Sequence, residues 1–249
     1  MAKIAVIGGT GLTKLSDTSL IRREVHNSQY GEPSAPLTRL MLQDNEVLFL
    51  PRHGSGHTIP PHKVNYRANL AVLKEAGVDK VIAVNAVGGI SSVLAPQQLV
   101  VPDQIVDYTW SREHTYSDGT SDEVVHIDFT QPYCEALRRK LIQAAELAHI
   151  SIATTATYAA TQGPRLETTA EIDRLERDGC HIVGMTGMPE AALAKELGLC
   201  YASIAVIANM AAGRGEGEIT LDEIEYHLTQ GMGQVKELLE TVIPLLSDE

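Results

Sequence analysis

Clustered lysine and arginine are missing from this 249-residue chain, whose 20 basic side chains are outnumbered by 32 acidic ones for a formal charge of -12. Backbone binding to nucleic acid draws on clustered cations that replace counterions, so a nucleic-acid partner is not expected. A single small phosphate needs only local positive charge and stays open. Cysteine is sparse as well: Cys134, Cys180 and Cys200 stand far apart, with neither CxxC spacing nor a neighbouring histidine. Neither a zinc site nor a disulfide framework is suggested, and all three are expected as reduced, mostly buried thiols. Long apolar runs are absent too. The richest, residues 201–213, is interrupted by Ser203 and Asn209 and falls well short of the roughly 20 residues a membrane span needs. The opening MAKIAVIGGTG passes from a short apolar run straight into glycines, without the longer stretch and cleavage site of a signal peptide. A cytoplasmic protein with no membrane partner is the expectation.

What is present is enough apolar residue, 44% of the chain, to bury a substantial core, and nothing marks a linker, so residues 1–249 are expected to form one α/β domain. Residues 181–213 organise it, reading as strand, polar turn, helix, strand and a second polar turn. Ligands of open α/β sheets collect at the carboxyl ends of strands, so Met185, Thr186 and Asn209 are expected to face one pocket, the rival being that they are ordinary turn residues. The same pattern recurs upstream. Residues 3–7 form a strand that runs into Gly8, Gly9, Thr10 and Gly11, a turn suited to an anion. A dinucleotide fingerprint would need a further glycine at the opening of a helix, where Thr13, Lys14 and Leu15 stand instead. Residues 47–50 read as a second strand emptying into Pro51, Arg52, His53 and the glycines up to His57, with Arg52 offering a fork of donors that matches phosphate oxygens. Residues 81–84 read as a third strand, ending at Asn85, Ala86 and a glycine pair.

Helices are expected over residues 65–76, 134–147, from about 168 to 177, and along a last stretch where Ile224, Leu228, Met232, Val235, Leu239, Val242 and Ile243 recur at three and four. Thr168 with Glu171, and Thr220 with Glu223, have the spacing of a capping box. Residues 107–131 are polar and aromatic with no sustained period, and a loop that long in a compact domain is usually functional or a subunit contact.

Seven motifs in order, GGTG at 8–11, RHGSGH at 52–57, VNYRANL at 64–70, VNAVGG at 84–89, GPRLET at 163–168, GMTGMPE at 184–190 and Asn209, resemble the trimeric purine nucleoside phosphorylases, including methylthioadenosine phosphorylase. The resemblance implies a single-domain three-layer α/β fold around a mixed, partly barrel-like sheet. It implies phosphorolysis of a purine nucleoside without metal or organic cofactor, inorganic phosphate being the co-substrate. Phosphate would be held by Thr10, Arg52, His53, Asn85, Ala86 and Thr186, with Met185 and Val183 against the nucleoside and Asn209, Glu167 and His53 as candidates for catalysis.

Two substitutions against the family pattern narrow the base. The methylthioadenosine enzymes set two aspartates against the adenine amino group, and their positions hold Asn209 and Ala211 here. Asn209 can donate to an oxygen at the six position and accept from a protonated N7, while Glu167 aligns with the glutamate that accepts from the ring nitrogen of 6-oxopurines. The rival for Glu167 is a helix cap. At the sugar, Leu221 aligns where the methylthioadenosine branch has an apolar residue, the rival being a first-turn core residue, and His126 matches the histidine lent across a subunit boundary in a homotrimer. Leu166 departs from the phenylalanine that commonly packs on the base. A 6-oxopurine pocket joined to a methylthio-sugar pocket implies S-methyl-5'-thioinosine as substrate, with inosine or guanosine next, methylthioadenosine third, and a non-catalytic nucleoside-binding module as the alternative of another class.

Overall fold

The computed structural model describes residues 3–9, 12, 20–117, 119 and 124–247. Thr10, expected at the anion site, lies outside them. Among the described residues eleven strands form one mixed sheet around β5 (Val78–Gly89). Along one edge of β5 run β1 (Lys3–Gly8), parallel, and further on β10 (Ile182–Gly184), antiparallel; along the other edge runs β11 (Cys200–Met210), parallel over nearly its whole length. Outward from β1 lie β4 (Asn45–Pro51), β3 (Leu37–Leu42) and β2 (Leu20–Glu24); outward from β10 lie β9 (Thr157–Ala160) and β7 (Gln104–Asp107). From β11 the sheet continues through β6 (Leu99–Val100) to β8 (Ile152–Ala153).

Alternation along the two central strands builds the three layers. Val81 and Ala83 of β5, with Tyr201 and Ala205 of β11, face a core completed by α1 (Tyr66–Glu75) and α4 (Gly187–Glu196). Ile82 and Val84, with Ile204 and Val206, face the opposite core, completed by α2 (Glu135–Leu147) and α5 (Leu221–Ser247). Strands covered on both faces read as unbroken apolar runs. The expected helices form, and α3 (Thr169–Arg177) starts on a complete capping box between Thr168 and Glu171. At α5 the Thr220 hydroxyl accepts from the Glu223 amide, 3.2 Å. Among the described residues no helix is long and apolar enough to cross a membrane.

Four expectations change. Residues 47–50 belong to the fourth strand: two strands before it went unread, the exposed edge strand β2, which carries no alternation, and β3, whose LTRLML mixes polar residues into a mostly buried run. Asn85 does not end β5, which runs on through Gly88 and Gly89; those glycines are there for close packing, since a Cβ would stand 3.2 Å from Val183 Cγ1 and 3.1 Å from Met210 Sδ. Asn209 lies inside β11, just past a register shift between Ile207 and Asn209, and such a bulge re-aims side chains. Cys134 and Cys200, read as separate thiols, are joined in a disulfide across 66 residues. The Cys134 amide donates to the Tyr201 carbonyl at 2.8 Å, laying the start of α2 beside the start of β11, a long-range contact that no spacing encodes. Cys180 is buried and free.

Helix α5 seats on β11 at Gly231, where a Cβ would stand 2.4 Å from Val206 Cγ1 and 3.3 Å from the Gln97 carbonyl. Alanine in mid-helix gains about 1 kcal/mol over glycine, whereas overpacking a closed core costs about 1–3 kcal/mol. Val206 is fully buried and stiff, so the packing term should win. Gly231→Ala is expected to lower the urea midpoint, and adding Val206→Ala should restore part of it. A more stable single variant would show that α5 is free to shift.

Candidate active site

Backbone register sets the geometry before any side chain does. Gly8 pairs with Pro51 and Ile7 with Ala83, so Gly9 and Arg52, just past the ends of β1 and β4, stand level with Val84 in the middle of β5. Four residues along β5, Gly88 pairs with both Val183 and Asn209. At roughly 3.3 Å per residue the two stations are about 13 Å apart, a span suited to an elongated small molecule. A cavity of about 680 Å³ joins them.

At the first station the Arg52 guanidinium, 1% exposed, is gripped by Glu190: Nε donates to Oε2 at 2.7 Å and Nη2 to Oε1 at 2.8 Å, while Nη1 donates to the Val84 carbonyl at 3.0 Å. The Tyr201 hydroxyl donates to Glu190 Oε1 at 2.9 Å. Burial opposes the charge on Arg52, but the attraction of Glu190 and its hydrogen bonds override that and hold the guanidinium above its ordinary pKa. Two of the five N–H groups of an arginine remain for a ligand after these three bonds.

Beside it, the Ser203 hydroxyl donates to Asn85 Oδ1 and Asn85 Nδ2 donates to the Thr186 hydroxyl, both at 2.7 Å. This relay fixes the Asn85 amide and fills a lone pair on Thr186, leaving the Thr186 hydrogen to be donated. Thr186 and Ala86 line the cavity, whereas Asn85 acts from behind Thr186. His53 lines it too; its Nδ1 meets the Ile59 carbonyl at 2.8 Å. A carbonyl only accepts, so Nδ1 carries the proton and Nε2 is an acceptor. Burial and the Arg52 charge push the His53 pKa down to about 4.

At the second station Glu167 Oε1 accepts from the Thr161 hydroxyl at 2.6 Å. Thr168 and Glu171 perform the helix capping instead, leaving Glu167 free of that task. Asn209 Nδ2 donates to the Met210 carbonyl at 2.7 Å, which orients the amide and leaves Oδ1 and one N–H unused. Leu166, Val183, Met185, Ala208 and Ala211 complete this part of the wall.

Besides Asn85, two further expected residues are not in the wall. Leu221 is 81% exposed at the start of α5, and the apolar surface comes instead from Ile219 and from Ile224, Leu228 and Met232, one helical stripe that begins a turn later. His126 is exposed and outside the cavity of its own chain. Sequence reasoning also passed over Glu190, which sits 138 residues from Arg52, and Arg112 in the long loop; neither carries a spacing signal.

The profile described as the Phosphorylase superfamily matches residues 3–244. A probable S-methyl-5'-thioinosine phosphorylase of Pseudomonas syringae pathovar tomato is 51% identical, covering 98% of this chain and 99% of that protein. The 6-oxopurine nucleoside phosphorylase of Pyrococcus furiosus is 41% identical, covering 100% of this chain and 95% of that one. The solved methylthioadenosine phosphorylase of Schistosoma mansoni in complex with adenine superposes with a TM-score of 0.94 at 31% identity, covering 100% and 93% of the two chains.

Removing the counter-charge tests the first station. Glu190→Gln strands a buried guanidinium and should cost about 3–5 kcal/mol of folding free energy in urea denaturation; a loss below about 1 kcal/mol would show the pair to be dispensable. The His53 ring is expected to hold its neutral NMR signal down to about pH 5. Its folded pKa lies below the unfolded value, so His53 leaves stability untouched above about pH 6.5 and lowers it as pH falls toward 4. A ring midpoint near 6.5 would refute the buried, neutral assignment.

Proposed function

The chain belongs to the phosphorylase superfamily, and from that premise we propose that it is a purine nucleoside phosphorylase that converts S-methyl-5'-thioinosine and phosphate to hypoxanthine and 5-methylthioribose 1-phosphate. The observation that carries this reading is one cavity with two unlike walls. Glu167 and Asn209 offer the hydrogen-bond polarity of a 6-oxopurine, while Ile219, Ile224, Leu228 and Met232 offer nothing polar to a 5'-hydroxyl. The Pseudomonas relative points the same way by its name. The Pyrococcus relative favours a broader 6-oxopurine nucleoside phosphorylase as the second reading, and the apolar stripe argues against it.

Phosphate is held by the two remaining Arg52 donors and the Thr186 hydroxyl, with Thr10 completing the set. His53, neutral and accepting through Nε2, takes a hydrogen bond from a protonated phosphate oxygen or a sugar hydroxyl. The bond between sugar and base breaks with positive charge on the sugar and negative charge on the leaving base. Phosphate faces the first, and Asn209 answers the second by accepting from a protonated N7 and donating to the six-position oxygen, the kind of preorganised stabilisation that lowers a barrier without reorganisation. Glu167 accepts from the protonated ring nitrogen of hypoxanthine and repels the lone pair that adenine has there.

No metal or organic cofactor enters this scheme. A cytoplasmic homotrimer belongs to the same proposal, with His126 reaching a neighbouring site. Its support is that His126 follows Val124 and Val125, 69% and 48% exposed, in the loop that also exposes Trp110.

Purine release from methylthioinosine, methylthioadenosine and inosine, with and without phosphate, tests the proposal, and a phosphate-dependent preference for methylthioinosine is expected. A preference for inosine would overturn the apolar-wall argument, a preference for methylthioadenosine the base argument, and no phosphate-dependent release the enzyme itself. Asn209→Asp should raise efficiency on methylthioadenosine relative to methylthioinosine by about tenfold, the scale of one repaired polar contact. An unchanged ratio would remove Asn209 as the base reader.

A further inference from the structure

The long loop after β7 contributes a buried cation to which the proposed chemistry assigns no task. Arg112 is 9% exposed, and its six hydrogen bonds all end on neutral oxygens. They reach two separate segments. On one side Nη2 donates to the Thr161 and Gln162 carbonyls at 3.2 and 2.7 Å, and Nε to Gln162 Oε1 at 3.2 Å. On the other Nη1 donates to the Met185 and Met188 carbonyls at 2.8 and 2.6 Å, with one of its two N–H groups shared with the Tyr66 hydroxyl at 3.4 Å.

Each segment carries one half of the cavity's function. The first includes Thr161, whose hydroxyl holds Glu167 at 2.6 Å. The second includes Met185 and Thr186 in the wall and leads to Glu190, the partner of Arg52. The two also touch directly: a Cβ on Gly163 would stand 2.4 Å from Met185 Sδ. We propose that Arg112 is a positioning residue that locks the base-reading segment and the phosphate-binding segment at one separation, so that base discrimination and phosphate binding both depend on it. The inference rests on the phosphorolysis reading above. Its geometry demands arginine: the planar fork spans both segments at once, whereas a lysine ammonium donates from a single point.

The test compares the full-length wild type with Arg112→Lys and Arg112→Ala, checked for folding by circular dichroism and thermal melting. Measured are kcat and KM for methylthioinosine, methylthioadenosine and phosphate. Both variants should lose on the order of a hundredfold in kcat/KM on methylthioinosine, the scale of an ångström of misplacement. Their preference for methylthioinosine over methylthioadenosine should fall about tenfold as Glu167 loses its anchor, and KM for phosphate should rise with it. Guanidinium ion at a non-denaturing concentration should restore part of the rate and of the preference to the alanine variant and nothing to the lysine variant. If alanine prevents folding, the charge-conserving lysine variant decides. Wild-type discrimination retained in folded lysine variant, whether or not rate is lost, overturns the positioning role and leaves the proposed function standing. Turnover of neither nucleoside by the wild type would overturn both.

Discussion

Sealing a guanidinium and a carboxylate from water costs several kcal/mol per ion before their attraction is counted, and the balance is favourable only if every donor and lone pair is answered. The Arg52–Glu190 pair comes close to that demand through two parallel bonds, a backbone carbonyl and the Tyr201 hydroxyl, and leaves only the two guanidinium N–H groups that are open to a ligand. The rest of the site depends on it, because the pair ties the end of β4 to α4 and to the middle of β5 at Val84. It also sets the electrostatics of the cavity. With Glu190 cancelling Arg52 and His53 neutral, the first station offers directed donors rather than net positive charge. Such a site selects an anion by the position of its oxygens, in keeping with a chain whose charge of -12 repels polyanions.

That logic explains what could be read from the residues and what could not. Polar side chains at strand ends were legible, because β-runs that stop in Arg52 or Thr186 are visible locally and α/β sheets put ligands there. The capping box at Thr168 was legible for the same reason, being complete within four residues. Glu190 was not, since its partner lies 138 residues away, and a glutamate in the first turn of a helix looks like an ordinary dipole contact. The Cys134–Cys200 bridge spans 66 residues and was hidden in the same way. Gly88 and Gly89 misled in the opposite direction: glycines usually announce a turn, and here they let Val183 and Met210 approach a strand that continues.

The bulge in β11 shows how one strand can serve both the core and the cavity wall. Up to Ile207 its residues alternate between two buried faces. The irregularity before Asn209 breaks that period, so Ala208 and Asn209 both line the cavity. A regular strand would have turned one of these neighbours away. The amide proposed to read the base therefore stands on a central, largely buried strand, and precision there comes from backbone packing rather than from a mobile loop.

Helix α5 makes a similar division along its length. One stripe, spaced at three and four, runs from Ile224 through Leu228 and Met232 to Val235, Leu239, Val242 and Leu246, and every member looks alike in the sequence. Its last turns are closed against β11 and α2, with Val235, Val242 and Leu246 fully buried. Its first turns face open space in the cavity, which forgoes the dispersion contacts that a filled core would supply. In the proposed function an apolar group on the ligand supplies them, so that binding a methylthio sugar would complete packing that folding leaves unfinished. A hydroxyl in the same place would lose its water and gain no partner. On that proposal, selectivity at the sugar follows from where the stripe stops being core, a boundary set by the depth of the cavity and not by any residue type.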